Sequence, residues 1–187
     1  MEKLVEIRWH GRGGQGAVTS AELVAQAAIS EDKFAQAFPS FGPERRGAPV
    51  LAFNRIKSDE PVRIRSEVNE PDVVVVLDPG LLSVIDVTSG LKDKGVVIIN
   101  TKKDVGEIRS EYGIKGALAT VGATSIAREL LGVPIINTAM IGALIKATGV
   151  VKLESMKAPL EKRFGRLAER NINAMKKAYE ETKVEEQ

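Results

Sequence analysis

A glycine-rich segment near the N-terminus, Trp9 to Gly16 (WHGRGGQG), has the residue types and spacing of a ligand-binding turn. Gly11, Gly13 and Gly16 fit the G-x-G-x-x-G spacing of turns that hold phosphates between a strand and a helix. Glycine permits positive φ and close approach to the backbone, while a following helix offers free N–H groups and a positive dipole end. The segment therefore predicts an anion-binding turn, with a purely structural strand-to-helix turn as the alternative.

The dinucleotide-binding version of this turn makes a further demand, which the sequence does not meet. An acidic residue is expected at the end of the second strand, about 20 residues further on, to bind the ribose hydroxyls. Glu31 and Asp32 precede the candidate second strand, and residues 38–42 at its end contain no acid. This disfavours a free-standing nicotinamide- or flavin-binding protein. That function and a small regulatory anion-binding module stay open as alternatives.

A second loop, Ser40 to Val50 (SFGPERRGAPV), carries two adjacent arginines, Arg45 and Arg46, between Gly-Pro and Gly-Ala-Pro. The flanking prolines stiffen the loop, which displays the two guanidinium groups as a pair. Such groups suit phosphates and carboxylates because they donate parallel hydrogen bonds. A solvated turn, or an ion pair between Glu44 and one arginine, is the simpler interpretation.

Polar residues beside the predicted strand ends have structural as well as functional interpretations. His10 follows the first strand, where a hydrogen-bonded structural histidine is favoured over a proton carrier. For Arg12, a ligand contact and a surface salt bridge are equally open. Asp78 ends a central strand, where α/β proteins place their sites, and we favour its capping of the next turn.

Asparagines on the predicted C-terminal helices are also assigned structural roles. Asn137 and Thr138 precede an apolar helix, so we predict that they act as its N-cap. Asn171 and Asn173 lie on the last helix, where an interface hydrogen bond and exposure to solvent are both open.

The composition excludes several classes of protein. The 187 residues are 43% apolar, with 27 basic against 25 acidic residues and 4% aromatic residues. Such a chain is not disordered, has no bulk attraction to nucleic acid and has few residues for stacking on bases. With no cysteine and one histidine, it has no thiolate ligands for an iron–sulfur cluster or zinc and no multi-histidine metal site.

No targeting or membrane segment is recognisable. The N-terminus lacks a long apolar run behind a basic start, and the longest uninterrupted apolar run, 73–77, is too short to span a bilayer. We therefore expect a cytoplasmic protein without membrane contacts.

The hydrophobic pattern predicts a single α/β domain over residues 1–187, with three layers and helices on both faces of a mixed, mostly parallel sheet. Its start resembles a Rossmann unit. A turn at 58–61 suggests a hairpin. Residues 153–182 are predicted to form a helix with an apolar face, broken near Gly165. The tail from Lys183 is expected to fray. We favour packing of that face on the core over docking on another subunit. The predicted strands are 4–9, 34–38, 49–56, 62–64, 73–77, 96–99 and 117–121, and the predicted helices are 17–29, 124–131, 137–148 and 153–182.

The two loop motifs together resemble a known family. GRGGQG at 11–16, followed by SFGPERRGAPV at 40–50, is similar to the gamma subunits of the 2-oxoacid:ferredoxin oxidoreductases, above all those of the pyruvate and 2-ketoisovalerate group. The resemblance continues through DVVVVLDP, TSIARELLG and NTAMIGAL along the rest of the chain. A gamma-type subunit for another 2-oxoacid, such as 2-oxoglutarate or indolepyruvate, stays open.

The resemblance implies a subunit of an enzyme that oxidatively decarboxylates a 2-oxoacid with coenzyme A, giving acyl-CoA, CO2 and reduced ferredoxin, or that runs in reverse as a synthase. It places thiamine diphosphate, magnesium and iron–sulfur clusters on partner chains, in an assembly of alpha, beta, gamma and delta subunits. No thiamine diphosphate motif of the G-D-G…N type is found in this chain. The isolated chain is then expected to be inactive, with no catalytic residue of its own.

The resemblance also implies a ligand site on two loops, which we expect to meet at the carboxyl end of the sheet. There they would face the alpha and beta subunits and help to form a channel for coenzyme A, a substrate. The arginine pair would hold phosphate groups or fix the loop against an acid of a partner. The residues that match the glycine motif are Gly11, Arg12, Gly13, Gly14, Gln15 and Gly16, and those that match the second loop are Gly42, Pro43, Glu44, Arg45, Arg46 and Gly47.

Overall fold

The structure, a computed structural model, describes residues 4–40 and 48–186. Residues 41–47 of the second loop, with Arg45 and Arg46, lie outside the described residues, so the expectations for them stay predictions. The strands are β1 (Val5–Arg12), β2 (Phe34–Pro39), β3 (Pro49–Lys57), β4 (Val73–Val76), β5 (Val96–Asn100), β6 (Ala117–Val121) and β7 (Lys183–Glu185). The helices are α1 (Ala17–Ser30), α2 (Val105–Tyr112), α3 (Ala123–Leu131), α4 (Asn137–Thr148), α5 (Lys157–Phe164) and α6 (Ala168–Glu181).

The seven strands form one sheet in the order β2-β3-β1-β4-β5-β6-β7. The neighbours β1, β4, β5 and β6 are parallel. β3 runs antiparallel between β1 and β2, and β7 runs antiparallel along β6. Five strands therefore share one direction and two oppose it, which confirms the mixed, mostly parallel sheet.

The central strands are covered on both faces. Val73 and Val75 pack in a core with α1, α4 and α6, whereas Val74 and Val76 pack in a second core with α2. This alternation is what a strand buried on two sides must show, because successive side chains point to opposite faces. It confirms the three layers with helices on both faces.

The predicted hairpin after β3 is wrong. Residues 61–65, which include the predicted strand 62–64, form no strand. Side chains of two buried arginines take the place of the strand-to-strand hydrogen bonds. Arg55 donates to the carbonyls of Ile64, Ser66 and Glu67, and Arg8 donates to that of Val68. Because these side chains satisfy the backbone acceptors, the segment can cover the sheet without strand pairing.

Two elements near the sheet's far edge were missed. Helix α2 begins at a capping box in which Asp104 and Glu107 accept each other's backbone N–H groups, a signal that the sequence carries as D-x-x-E. β7 pairs with β6, so the prediction that the tail frays is wrong for 183–185. In isolation, the three residues of β7 have too little pattern to be recognised as a strand.

The long C-terminal helical segment is divided as expected near Gly165, which has a φ of 51° and separates α5 from α6. Its apolar face packs on the core, as favoured, through Ala174, Met175 and Ala178. α4 lies very close to α6, since a Cβ added at Gly142 would lie 2.1 Å from the carbonyl oxygen of Met175.

Candidate functional site

The glycine turn lies between β1 and α1, at the carboxyl edge of the parallel strands. β1 continues beyond its predicted end to Arg12, so Gly11 lies inside the strand, opposite Val50. A Cβ at Gly11 would meet only ordinary contacts, the nearest at 3.5 Å. The backbone of Gly14 and Gly16 is left-handed, with φ of 92° and 85°. Glycine is therefore required by conformation at 14 and 16, and not at 11.

A clamp formed by Arg12, Gln15 and Asp78 braces the turn. Asp78 Oδ2 accepts hydrogen bonds from Arg12 Nε at 2.9 Å and from Gln15 Nε2 at 3.1 Å. Gln15 Oε1 accepts from the Arg12 backbone N–H at 2.7 Å. The Asp78 carboxylate also caps the 3-10 turn at 79–83, because Oδ1 accepts from the Gly80 N–H at 2.9 Å. The clamp thus ties the end of β1 to the end of β4.

These contacts decide two of the interpretations left open for the strand ends. The predicted capping role of Asp78 is confirmed, with the clamp as an addition that local sequence does not signal. Arg12 forms a salt bridge to Asp78, and its side chain is 34% exposed. The Asp78 carboxylate compensates the charge of this guanidinium and fixes its position at the edge of the sheet, and the ligand contact predicted for Arg12 stays a prediction.

The N-terminus of α1 lies beside the Arg12 guanidinium and can attract an anion. Its N-cap is Gly16, no side chain of the described residues caps it, and its first turn contains no acid. Such a terminus keeps backbone donors and the positive dipole end available. Gly16 also packs against α4, because an added Cβ would lie 3.0 Å from Asn137 Cβ.

The described residues at the end of β2 include no ribose-binding acid; the acid beside the turn, Asp78, follows β4 and is paired with Arg12. β2 is not next to β1, since β3 lies between them, and β2 is followed by Ser40. The Ser40 N–H donates to Leu51 of β3 at 2.9 Å. The start therefore differs from the expected Rossmann unit, in which the second strand pairs with the first.

His10 is buried, with 4% of its surface exposed. Its Nε2 accepts from Arg8 Nε at 3.0 Å, while Nδ1 has no partner among the described residues. Burial, and then the Arg8 charge, lower the pKa of His10 to about 4. The ring is neutral near pH 7, which favours the structural histidine over a proton carrier, although only one of its nitrogens is satisfied.

The asparagines on the C-terminal helices link elements within the chain. The N-cap of α4 is Ile136, so the predicted capping by Asn137 is wrong; Asn137 Oδ1 instead accepts from the Thr138 N–H inside the first turn. The Thr138 hydroxyl donates to Asn171 Oδ1 at 3.1 Å. Asn171 is thus buried between α4 and α6, whereas Asn173 is exposed.

Sequence reasoning missed polar groups that join strands across the sheet. Asn100, at the end of β5, donates to the Leu77 carbonyl at 2.9 Å, and its Oδ1 accepts from the Thr124 N–H at the start of α3. Arg55 Nε donates to Glu6 Oε1 at 2.8 Å, and Arg55 is 2% exposed. Local sequence gave no clear signal for Arg8, because Glu6, Arg8, His10 and Arg12 alternate along β1 as the polar residues of a half-exposed strand do.

A family model described as "Pyruvate ferredoxin/flavodoxin oxidoreductase" matches residues 6–181. The chain belongs to this family. It is 56% identical over 185 residues to the "Pyruvate/ketoisovalerate oxidoreductases common subunit gamma" of Thermococcus kodakarensis, a match that covers 98% of this chain and 100% of that protein. It is 51% identical over 181 residues to "Pyruvate synthase subunit PorC" of Methanothermobacter thermautotrophicus, which covers 95% of this chain and 96% of that protein.

A solved structure of the family agrees with the architecture. The crystal structure of pyruvate oxidoreductase subunit PORC from Thermotoga maritima matches with a TM-score of 0.87 and 41% identity. The match covers 99% of this chain and 100% of that one. The α/β fold and the family resemblance carried by the two loop motifs are thereby confirmed.

The sequence provides no thiolate ligand for an iron–sulfur cluster. An iron–sulfur cluster needs thiolates, and the sequence contains no cysteine. Among residues 4–40 and 48–186, no group of three or more His, Asp or Glu residues is arranged to hold a metal ion. No helix in the same part of the chain combines the length and apolar character needed to cross a bilayer.

Proposed function

We infer that this chain is the gamma-type subunit of an enzyme that oxidatively decarboxylates pyruvate or 2-ketoisovalerate with coenzyme A and reduces ferredoxin. The observation that carries this function is the 56% identity, over the full length of the relative, to a pyruvate/ketoisovalerate oxidoreductase common subunit gamma. The relatives favour this function over another 2-oxoacid or a free-standing dinucleotide-binding protein. A subunit common to two enzymes also implies that one gamma chain serves both substrates.

The catalytic groups are assigned to other chains in this proposal. Thiamine diphosphate, magnesium and the iron–sulfur clusters reside on alpha, beta and delta partners in the cytoplasm, and ferredoxin docks on the assembly. The absence of cysteine from this sequence supports that division of labour. Isolated, the chain is inactive, and its contribution is to shape and charge a substrate channel.

We propose that the channel holds the anionic groups of coenzyme A at the glycine turn. Two features support this: the N-terminus of α1, which no described side chain caps, and the Arg12 guanidinium, which Asp78 holds in place beside it. The turn also contacts the chain just beyond the arginine loop, because the Gly13 N–H donates to the Ala48 carbonyl at 3.3 Å. Ala48 follows Arg46 by two residues, which supports a joint action of Arg45 and Arg46 on the same ligand.

The arginine proposal is tested in the assembled enzyme. Arg45→Ala and Arg46→Ala should each raise the KM for coenzyme A about tenfold or more and leave kcat nearly unchanged, because a lost charge-assisted hydrogen bond weakens binding by about 1.5–3 kcal/mol. The matched control is Arg170→Ala, an exposed arginine of α6. An unchanged KM in intact assemblies would contradict the ligand role.

The subunit function has its own test. The partner chains are assembled with and without this chain, and pyruvate- and coenzyme A-dependent reduction of ferredoxin is measured. We expect reduction only in the complete assembly, with 2-ketoisovalerate accepted when the corresponding partners are supplied. Full activity of the partners alone would contradict a required gamma subunit.

A further inference from the structure

A cavity opens at the carboxyl edge of the sheet, between the ends of β5 and β6. Its volume is about 340 Å³. Two strand spacings, about 10 Å, separate β5 from β1 and the glycine turn. None of its residues belongs to the Arg12–Gln15–Asp78 clamp. We call it the lysine pocket; its lining consists of Thr101, Lys102, Lys103, Thr120, Val121, Gly122, Ser125, Glu181 and Lys183.

The charge of the lysine pocket favours an anion. Three lysines face one acid, Glu181, which itself lies 3.8 Å from Lys177. Lys103 is paired with Glu111. Within the described part of the chain, Lys102 and Lys183 form no ion pair, so two positive charges are uncompensated there.

Helix α3 begins in the same pocket. Its N-cap is Gly122, which has no side chain, and Asn100 Oδ1 accepts a hydrogen bond from the Thr124 N–H in the first turn, so the helix contributes its dipole more than free N–H donors. Ser125, in the first turn, adds a hydroxyl to the lining. The dipole of the nine-residue helix therefore adds positive potential where the lysines converge.

Thr120 supplies an independent indication of a ligand. It is 3% exposed and lines the pocket, and its hydroxyl has no hydrogen-bond partner among the described residues. In the register of β6 and β7 it lies opposite Lys183, so both side chains are on one face of the sheet. The hydroxyl is therefore available from the pocket side, where an oxygen of a bound anion would give it a hydrogen-bond partner.

We propose that the lysine pocket binds a phosphate group. Lys102 and Lys183 neutralise its charge, and the hydroxyls of Thr120 and Ser125 bond to its oxygens. The group belongs either to a free phosphorylated small molecule or to the far end of the ligand held at the glycine turn. The site goes beyond the proposed function, because it requires neither the arginine loop nor the clamp.

The test is an NMR titration of the 15N-labelled full chain with inorganic phosphate and with pyrophosphate. We expect saturable shifts of the Thr120, Gly122 and Ser125 amides. The double variant Lys102→Gln/Lys183→Gln should weaken binding at least tenfold. Its matched control, Lys115→Gln/Lys176→Gln, removes the same charge from exposed lysines elsewhere and should leave binding within about twofold.

Thr120→Val separates a ligand role from a structural one. It removes the hydroxyl and keeps the shape, so we expect pyrophosphate binding to weaken several-fold without a fall in the melting temperature. Unchanged affinity in this variant, equal weakening in the control, or no shift at the pocket amides would overturn the proposal.

A parallel titration with coenzyme A identifies the source of the phosphate. If one ligand spans both sites, coenzyme A shifts the pocket amides together with those of Gly14 and Ala17, and pyrophosphate displaces its end from the pocket. If the ligand is separate, coenzyme A leaves the pocket amides unchanged. Failure of the glycine-turn site alone would remove the shifts at Gly14 and Ala17 and leave pyrophosphate in the pocket.

Discussion

Replacing Asp78 with alanine removes three interactions at once, and their sum can be worked out from the geometry. The salt bridge to Arg12 joins side chains that are 34% and 21% exposed, so solvent screening limits it to about 0.5–1 kcal/mol. Loss of the cap at Gly80 costs about 1 kcal/mol, and loss of the Gln15 hydrogen bond costs about 1 kcal/mol. We expect the free energy of unfolding to fall by about 2.5–3 kcal/mol.

Thermal and urea denaturation of the isolated chain, followed by circular dichroism, measure this loss. For a chain of this size, about 2.5–3 kcal/mol corresponds to a melting temperature lowered by roughly 5–12 °C. Asp78→Asn keeps an oxygen for the cap and removes the charge, so it should cost about half as much. Asp93→Ala, at an exposed acid, is the matched control and should cost less than about 0.5 kcal/mol.

The clamp also predicts a functional effect in the assembled enzyme. If Asp78 orients Arg12 towards a ligand, Asp78→Asn should raise the KM for coenzyme A with little change in kcat. The reasoning about the clamp is refuted if Asp78→Ala is as stable as Asp93→Ala. If stability falls and the KM does not change, the clamp is structural only.

Three further predictions concern the glycines and the buried histidine. Gly16→Ala should lower stability by about 1–2 kcal/mol, because of its φ of 85° and a new Cβ 3.0 Å from Asn137, whereas Gly11→Ala should cost less than about 1 kcal/mol; urea denaturation compares them. Gly142→Ala should cost more than about 3 kcal/mol, since its Cβ would lie 2.1 Å from a carbonyl of α6; a melting temperature within a few degrees of the parent's would contradict such close packing. The pKa of His10 is about 4 in the folded chain, against 6.5 for a free histidine, so the unfolded chain binds more protons between pH 4 and pH 6.5. The neutral ring of His10 therefore contributes about 3 kcal/mol to the free energy of unfolding above pH 6.5, and this contribution is lost as the pH falls towards 4. His10→Gln should therefore lose less stability between pH 7 and pH 4.5 than the parent chain does.

Strong local patterns made much of the fold predictable. The run of valines at 73–76 can be buried only as a central strand, and the glycines before α1 and α3 mark where helices begin at the sheet edge. The position of β3 between β1 and β2 was not predictable, because nothing local in its sequence states which strand it pairs with. The strand expected at 62–64 failed for a related reason: long-range hydrogen bonds from Arg55 satisfy that segment.

Part of the candidate site was likewise predictable from local sequence, and part was not. The glycine turn was predicted from spacing, yet the glycine pattern overvalued Gly11 and gave no weight to the conformational demand at Gly14. The contact between Arg12 and Asp78 joins residues 66 positions apart, and only the parallel pairing of β1 with β4 brings them together. Charge and glycine content can be read locally, whereas the partners of a charge depend on strand order.

The covering segment at 58–72 is held mainly by its main chain. Arg8, Arg55 and Gln36 bind its carbonyl oxygens, and a carbonyl is the same group whatever side chain accompanies it. Most side chains over 61–67 are exposed. Residues of this surface can therefore be substituted to attach labels, affinity handles or a solid support, while the path of the chain is retained. The protein thus contains a natural attachment surface whose main-chain path is set by the arginines beneath it.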